Sequence, residues 1–227
     1  MNLLVLGRGK TGRVVAEFAN RRGHSVQVIG EEENRNASAL TAPMLTQFDV
    51  VIDFTTPEAV VQNLRACLAT GSRVVVGTTG WYDRLEEMRA ICARRNAGLV
   101  WGANYSVGMQ VVYRLAQELA RLAGGFEIEI SETHHVDKKD APSGTALTLR
   151  RMIEEARPGV KVPINSERTG DLAGVHAVRA RLGDDLIEIR HDALSRRSFA
   201  EGAVRAAEWL RGKTGFYEFR EIFPQLE

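Results

Sequence analysis

The 227-residue chain has little of several features that mark particular protein classes. Its two cysteines, Cys67 and Cys92, lack metal-ligand spacing, so we expect free thiols in a reducing, cytoplasmic compartment. No apolar run reaches the ~18 residues that a membrane span needs. The six prolines and 21 glycines follow no period, which excludes collagen-like and linker-like chains.

Neither sign of charge is in excess, since 30 basic and 29 acidic side chains give a formal net charge of +1. Binding of nucleic acid needs a clustered basic surface, so we expect no nucleic-acid partner. A content of 44% hydrophobic and 26% charged residues is typical of a folded globule. Composition therefore predicts a soluble protein with no membrane partner, and it indicates no particular chemistry.

The order of predicted elements in the first 104 residues indicates the fold class. Short apolar runs predict buried strands, and each is followed by a segment of helical periodicity or a turn. The strands are expected at 2–6, 25–29, 50–54, 73–76 and 98–101. Strands that alternate with helices predict an α/β fold with a parallel, doubly wound sheet of the Rossmann type.

The pattern changes beyond residue 104, which predicts a second, smaller α+β domain. After a helix at about 107–123, residues 126–130, 175–182 and 186–191 alternate apolar and polar side chains. Such alternation predicts an open mixed sheet with one solvated face. We therefore expect one domain formed by 1–104 and 197–227, with 105–196 inserted as the other.

A glycine-rich motif follows the first predicted strand. Gly7-Arg8-Gly9-Lys10-Thr11-Gly12 fits G-x-G-x-x-G between a strand and a helix, and Glu31 follows Gly12 by 19 residues. Such a loop lets backbone N–H groups approach a pyrophosphate at a helix N-terminus. We therefore expect these six residues to bind NADH or NADPH. Glu31 would accept a hydrogen bond from the ribose 2′-hydroxyl, which favours NADH. The acids Glu31 to Glu33 would repel a 2′-phosphate, although Arg8, Lys10 and Arg35 soften that repulsion.

Two further loops leave strand ends at the same predicted sheet edge, where ligands of open α/β sheets bind. They contain Phe54 and Thr55 after the third strand, and Gly77, Thr78 and Thr79 after the fourth. We expect these residues to line the nicotinamide path, although threonines that stabilise strand-end turns would give the same pattern.

The stretch from Glu132 to Ala146 holds the densest group of chemically active side chains. His134, His135 and Lys138 follow a predicted strand, and a helix start comes next, with Asp140 and Ser143 as candidate N-caps. Histidine exchanges protons near neutral pH, and exposed N–H groups at Ser143, Gly144 and Thr145 would bind an anion. Adjacent histidines cannot face one side of a strand together, so we expect no metal site here. A solvated loop that caps a helix remains the alternative interpretation.

This stretch resembles the signature E-x-H-H-x-x-K-x-D-A-P-S-G-T-A of the dihydrodipicolinate reductase family at every fixed position. Further similar segments are 51–55, 77–80, 104–108, 168–176 and 195–203. The resemblance implies NAD(P)H-dependent reduction of a cyclic dicarboxylate to tetrahydrodipicolinate on the diaminopimelate route to lysine. It also implies a homotetramer built through the second domain, which would bind the substrate.

The resemblance further implies roles for individual residues. His134 would donate and accept a proton, and Lys138 would be the second proton donor. His135, Ser143, Gly144 and Thr145 would hold the substrate. The cofactor contacts would extend to Gly102, Ala103, Asn104 and Tyr105.

Two departures from the family pattern stand out. The glycine loop is one residue shorter than usual and ends Gly9-Lys10-Thr11-Gly12, and Val136-Asp137 replace a pair that is often basic. The first departure bears on cofactor preference and the second on substrate affinity. Two alternatives stay open: a reductase or dehydrogenase of another small carboxylate, and a dinucleotide-binding sensor without catalysis.

Overall fold

The computed structural model describes residues 1–136 and 138–226. The strands are β1 (Asn2–Leu6), β2 (Ser25–Ile29), β3 (Val50–Asp53), β4 (Arg73–Val76), β5 (Gly98–Trp101), β6 (Glu127–His134), β7 (Ile164–Arg168), β8 (Val175–Leu182), β9 (Asp185–Asp192) and β10 (Gly215–Glu218). The helices are α1 (Lys10–Arg21), α2 (Ala42–Leu45), α3 (Pro57–Ala69), α4 (Leu85–Arg95), α5 (Val107–Leu122), α6 (Gly144–Ala156), α7 (Arg197–Leu210) and α8 (Phe219–Ile222). Short 3-10 turns cover Arg35–Ala37, Tyr82–Arg84 and Phe223–Gln225.

The chain divides into two compact units, Met1–Tyr105 with Phe199–Glu227, and Ser106–Ser198. In the described part of the first unit, six parallel strands form a sheet in the order β10-β5-β4-β3-β1-β2. Both faces of this sheet are covered. Leu3 and Val5 of β1 pack with α1 and α7, whereas Leu4 and Leu6 pack with α3 and α4. The predicted Rossmann-type sheet is confirmed.

The second unit contains a mixed sheet in the order β7-β6-β8-β9, in which β6 pairs in parallel with β7 and antiparallel with β8. One face packs on α5 and α6 through Ile128, Ile130, Val178 and Ala180. The opposite face of β6 and β8 carries charged side chains such as Glu129 and Arg179. The predicted open mixed sheet is therefore confirmed, including its solvated face.

Two strands are present that the sequence patterns did not predict. Edge strand β7 reads Ile-Asn-Ser-Glu-Arg and is mostly exposed, so it lacks apolar periodicity. Strand β10 has four half-buried residues at the other sheet's edge and begins at Gly215, which has a φ of 126°.

Both cysteines are buried and free, as expected, and burial raises the pKa of the Cys92 thiol to about 11. Among the described helices, none has the length and apolar character to cross a bilayer.

Candidate functional site

The glycine loop of the first unit is shaped by packing at two positions and leaves space at the third. Gly7 has a φ of 104°, and a Cβ there would overlap the carbonyl oxygen of Phe54. A Cβ at Gly12 would overlap the Gly7 carbonyl, whereas at Gly9 it would meet nothing within 4 Å. Gly9 is also the N-cap of α1 and offers no side-chain cap. The loop therefore fits a pyrophosphate, which could approach the N–H groups of the first turn.

A cavity of about 330 Å³ lies beside this loop at the carboxyl edge of the sheet. It is lined by Arg8, Glu31 and Arg35 on one side, and by Phe54 and Thr55 on another. The structure thus brings the expected ribose acid, Glu31, to the glycine loop. Lys10 and Thr11 form the first turn of α1 directly after the loop.

The threonines after β3 and β4 donate their hydroxyl groups to a buried carboxylate. Asp53 accepts hydrogen bonds from Thr55 Oγ1 at 2.7 Å, Thr78 Oγ1 at 2.8 Å and Asn63 Nδ2 at 2.9 Å. Burial raises the pKa of Asp53, and the hydrogen bonds from Thr55, Asn63 and Thr78 offset only part of that rise. These hydroxyls therefore fix the two loops to each other, and the backbone N–H of Thr55 strengthens the link by donating to Asp53 Oδ1 and Thr78 Oγ1.

The remaining cofactor candidates lie at the ends of β4 and β5, on the same sheet edge. A Cβ at Gly77 would overlap the ring of Phe54, and one at Gly102 would lie 2.9 Å from Phe219 Cβ. Tyr105 is buried, with its hydroxyl 3.0 Å from the Val76 carbonyl oxygen. Thr79, Ala103 and Asn104 are half-buried beside them. Gly77, Gly102 and Tyr105 thus have clear packing roles at this edge.

In the second unit, sheet register assembles a polar cluster around His134. Glu132 and His134 lie two residues apart on β6, so both side chains point to the buried face. In the sheet register, His134 lies opposite Arg168 of β7, and Glu132 lies opposite His176 of β8. Four titratable side chains from three strands therefore meet on the face that packs toward α6.

The Glu132 carboxylate is the centre of this cluster and is almost inaccessible to solvent. Its Oε2 contacts His134 Nδ1, and its Oε1 accepts hydrogen bonds from Arg168 Nη2 at 2.9 Å and from the Ser143 N–H at 3.3 Å. Burial opposes ionisation, but hydrogen bonds from His134, Ser166 and Arg168 outweigh it and lower the pKa of Glu132 below its ordinary value. Glu132 is thus a fixed negative charge behind the imidazole.

The other ring nitrogen of His134, Nε2, points toward Gly174. A Cβ at Gly174 would lie only 2.8 Å from this nitrogen, so glycine leaves room beside the edge of the buried imidazole. The His176 ring lies edge-on to that of His134 with centroids 5.0 Å apart, and its Nε2 is 3.2 Å from Ser143 Oγ. His134 is therefore positioned on one side by Glu132 and on another by His176.

The N-terminus of α6 adjoins this cluster, and it corrects two details of the sequence analysis. Ser143 is the N-cap, and its Oγ accepts from the Ala146 N–H at 3.2 Å. Asp140, the other candidate N-cap, therefore does not cap this helix. The Ser143 N–H is donated to Glu132 and does not face a ligand. Gly144 and Thr145 are therefore the expected anion-binding residues whose N–H groups begin the helix.

The two other candidates lie in the loop between β6 and α6. The Lys138 ammonium donates to Asp140 Oδ1 at 2.6 Å. Arg168 Nη2 contacts the Asp140 carbonyl oxygen, which ties the loop to β7. His135 is half-buried and Val136 is exposed. Asp137, the other half of the departure from the family pattern, lies outside the described residues.

Sequence reasoning assigned no role to Glu132, Arg168 or His176. All three stand in the segments that resemble the family, yet only strand register shows that they meet. The side chains of Glu132, His134 and His176 also bring ligand atoms within 4.8 Å of one another. Because the carboxylate already bonds a guanidinium and an imidazole, a hydrogen-bonded network accounts for this group without a metal ion.

Comparison with protein families matches both halves of the chain. Residues 1–105 match the family described as dihydrodipicolinate reductase, N-terminus, and residues 108–223 match dihydrodipicolinate reductase, C-terminus. A 4-hydroxy-tetrahydrodipicolinate reductase of Christiangramia forsetii is 35% identical over 100% of this chain and 99% of its own. One from Neisseria meningitidis is 33% identical over 94% and 93% of the two chains.

Solved structures show the same relationship. A dipicolinate-bound dihydrodipicolinate reductase from Paenisporosarcina sp. TG-14 superposes with a TM-score of 0.75 and 25% identity, covering 98% of this chain and 99% of that one. An amine dehydrogenase from Mycobacterium smegmatis has a TM-score of 0.68 at 10% identity, over 100% and 97% of the chains, which shows a shared fold.

Proposed function

The chain belongs to the dihydrodipicolinate reductase family, and we propose that His134 and Lys138 handle the protons of the reaction. The protein is an NAD(P)H-dependent oxidoreductase that reduces 4-hydroxy-tetrahydrodipicolinate to tetrahydrodipicolinate in lysine biosynthesis. We assign dinucleotide binding to the first unit and substrate binding to the second. Bound NADH or NADPH supplies the hydride.

The observation that carries this proposal is the buried contact between Glu132 and His134. A carboxylate at Nδ1 fixes the orientation of the ring and leaves Nε2 as the nitrogen that exchanges a proton with the substrate. The space that Gly174 leaves beside Nε2 supports this assignment. His134 would thus protonate the carbon next to the one that receives hydride.

Lys138 is proposed as the second proton donor and as a cation for a substrate carboxylate. Its ammonium is held by Asp140, so binding of a dicarboxylate would have to compete with that ion pair. The N–H groups at Gly144 and Thr145, at the start of α6, would hold a carboxylate, and His135 would contact it from the loop. The bound dipicolinate named for the Paenisporosarcina reductase is a cyclic dicarboxylate and supports this ligand class.

The cofactor is proposed to contact the backbone of the glycine loop from Gly7 to Gly12. Glu31 would accept from its ribose, as the cavity beside the loop allows. Phe54, Thr55 and the two loops 77–79 and 102–105 would line the rest of its path. The acid at Glu31 supports the expectation that NADH is preferred.

The experiment is a turnover assay that follows loss of NAD(P)H absorbance with freshly generated 4-hydroxy-tetrahydrodipicolinate. We expect His134→Gln and Lys138→Ala to lower kcat by about 10²-fold or more, because a positioned proton-transfer group contributes at least about that factor to the rate. Lys139→Ala is the matched control, because Lys139 is the exposed neighbouring lysine. Full rates in both variants would refute the roles of His134 and Lys138.

The same assay separates the alternatives. Turnover of another carboxylate alone would indicate a different dehydrogenase, and cofactor binding without any turnover would indicate a sensor.

We further propose a cytoplasmic homotetramer that binds neither nucleic acid nor membranes. Leu182, Leu186 and Ile187 support association through the second sheet, because their side chains are 47%, 50% and 42% exposed. Light scattering that gives a monomer mass would refute the assembly.

A further inference from the structure

The guanidinium of Arg8 lies where a Rossmann-type domain binds the ribose of the adenosine half. Arg8 stands between the first two glycines of the loop and lines the cavity of about 330 Å³. Its Nη2 is 2.5 Å from Glu33 Oε1 and 3.4 Å from the carbonyl oxygen of Val28 in β2. The side chain therefore reaches from the glycine loop to the carboxyl end of β2.

Glu33 is held in place as the counter-ion of Arg8. Its Oε2 accepts a hydrogen bond from the Gly30 N–H at 2.9 Å. A Cβ at Gly30 would lie 3.0 Å from Glu33 Oε2 and 3.1 Å from Arg8 Nη1, so the ion pair packs directly over this glycine. The hydrogen bond from Arg8 lowers the pKa of Glu33, which is therefore ionised at neutral pH.

The chemistry of this place depends on the ribose substituent. An acid after β2 accepts from the 2′-hydroxyl of NADH, whereas an arginine nearby accommodates the 2′-phosphate of NADPH. A guanidinium presents a planar fork of donors that matches phosphate, so Arg8 has the right chemistry and location. In the structure, however, its charge is neutralised by Glu33, which does not line the cavity.

We propose that Arg8 binds the 2′-phosphate of NADPH and that Glu33, by pairing with Arg8, sets the preference between the two dinucleotides. The inference deepens the proposed function, since it concerns the cofactor of the same enzyme. When NADPH binds, its 2′-phosphate must replace the Glu33 carboxylate as the partner of Arg8. NADH has no 2′-phosphate and leaves the ion pair intact. Glu33 thus limits NADPH use through its pairing with Arg8, in addition to the effect of Glu31 at the ribose.

The test measures dissociation constants of the full-length variants by calorimetry, with adenosine 2′,5′-bisphosphate and 5′-AMP as probes. Arg8→Met should weaken binding of the bisphosphate about tenfold and change 5′-AMP binding less than about twofold, as for loss of one charge-assisted contact. Glu33→Gln keeps the shape of the side chain and should strengthen bisphosphate binding about five- to tenfold. In the same variant, the ratio of kcat/KM for NADPH over NADH should rise by a similar factor.

The double variant distinguishes ion pairing from simple repulsion. If Glu33 acts by holding Arg8, then Glu33→Gln should have less than about twofold effect in the Arg8→Met background. Glu32→Gln is the matched control, because it removes a neighbouring exposed acid outside the ion pair. An equal gain from Glu33→Gln with and without Arg8, or unchanged bisphosphate binding in Arg8→Met, would overturn the proposal.

The outcomes also separate this inference from the proposed function. Both side chains are about half exposed, at 49% and 44%, so the variants should fold, and 5′-AMP affinity reports an intact loop. Selective binding as predicted, without turnover of the dicarboxylate, would refute the proposed function and support the inference. Turnover of the dicarboxylate, with unchanged selectivity between the two probes in both variants, would support the proposed function and refute the inference.

Discussion

His176 should make the second unit sensitive to acid. Its ring is 2% exposed, beside His134 and Ser143. Burial, with a further contribution from the charge of His134, lowers the pKa of His176 from 6.5 to about 3. The folded protein therefore keeps this imidazole neutral under mildly acidic conditions in which an unfolded chain would protonate it.

The sign and size of the effect follow from proton linkage. Below about pH 6.5 the unfolded state binds a proton at His176 that the folded state does not, so the free energy of unfolding falls as pH falls. Each pKa unit corresponds to about 1.4 kcal/mol. A lowering from 6.5 to about 3 thus implies a loss of about 2 kcal/mol at about pH 5 and about 3 kcal/mol at about pH 4. Near neutral pH the cost disappears.

The assay is urea unfolding of the wild type and His176→Asn across that pH range. Far-UV circular dichroism reports both units, whereas the tryptophans, Trp81, Trp101 and Trp209, all lie in the first unit and report it alone. His191→Asn is a graded control. Burial also lowers the pKa of His191, but this residue is only half-buried, so a smaller change is expected.

His176→Asn should lose about 2 kcal/mol less stability than the wild type between about pH 7.5 and pH 5, whatever its stability at neutral pH. The tryptophan transition should show no such difference. If the variant and the wild type lose stability in parallel, His176 is protonated in the folded state and the reasoning is wrong.

Three further predictions concern the two sites. Glu132→Gln should lower kcat about tenfold or more with cofactor affinity unchanged, because it removes the negative charge on His134 Nδ1; stopped-flow turnover and nucleotide titration check this. Gly174→Ala should also reduce kcat/KM for the dicarboxylate, since its Cβ would lie 2.8 Å from His134 Nε2, and equal kinetics with glycine or alanine would contradict the assignment. Gly7→Ala should destabilise the fold by about 2 kcal/mol or more, whereas Gly9→Ala should leave the unfolding midpoint nearly unchanged and weaken nucleotide binding.

The main features of the fold were predictable because hydrophobic periodicity is a local property. Strands buried on both faces, such as β1, read as continuous apolar runs, and β6 and β8 alternate along the chain. Strands β7 and β10 have neither pattern, because each lies at a sheet edge and buries little. Their positions depend on pairing partners that are distant in sequence.

The candidate site was predictable only where its residues are contiguous. The motif around His134 and Lys138 is a single stretch, and the helix start at Ser143 follows it directly. Arg168 and His176 join His134 through the registers of two different strand pairs, which spacing along the chain cannot show. Likewise, only the folded loops show that Thr55 and Thr78 donate to one carboxylate.

Each unit places one buried carboxylate beside its candidate site, and the difference between their partners explains their different chemistry. Asp53 is surrounded by neutral donors from Thr55, Asn63 and Thr78, so burial prevails and raises its pKa. Glu132 is bonded by the guanidinium of Arg168 and the imidazole of His134, so these hydrogen bonds outweigh burial and lower its pKa. Asp53 can therefore connect two strand ends whether or not it carries a proton, because its donors do not need its charge. Glu132 must stay ionised, since a neutral carboxyl would leave the partly buried Arg168 without its counter-charge and would weaken the contact that orients His134.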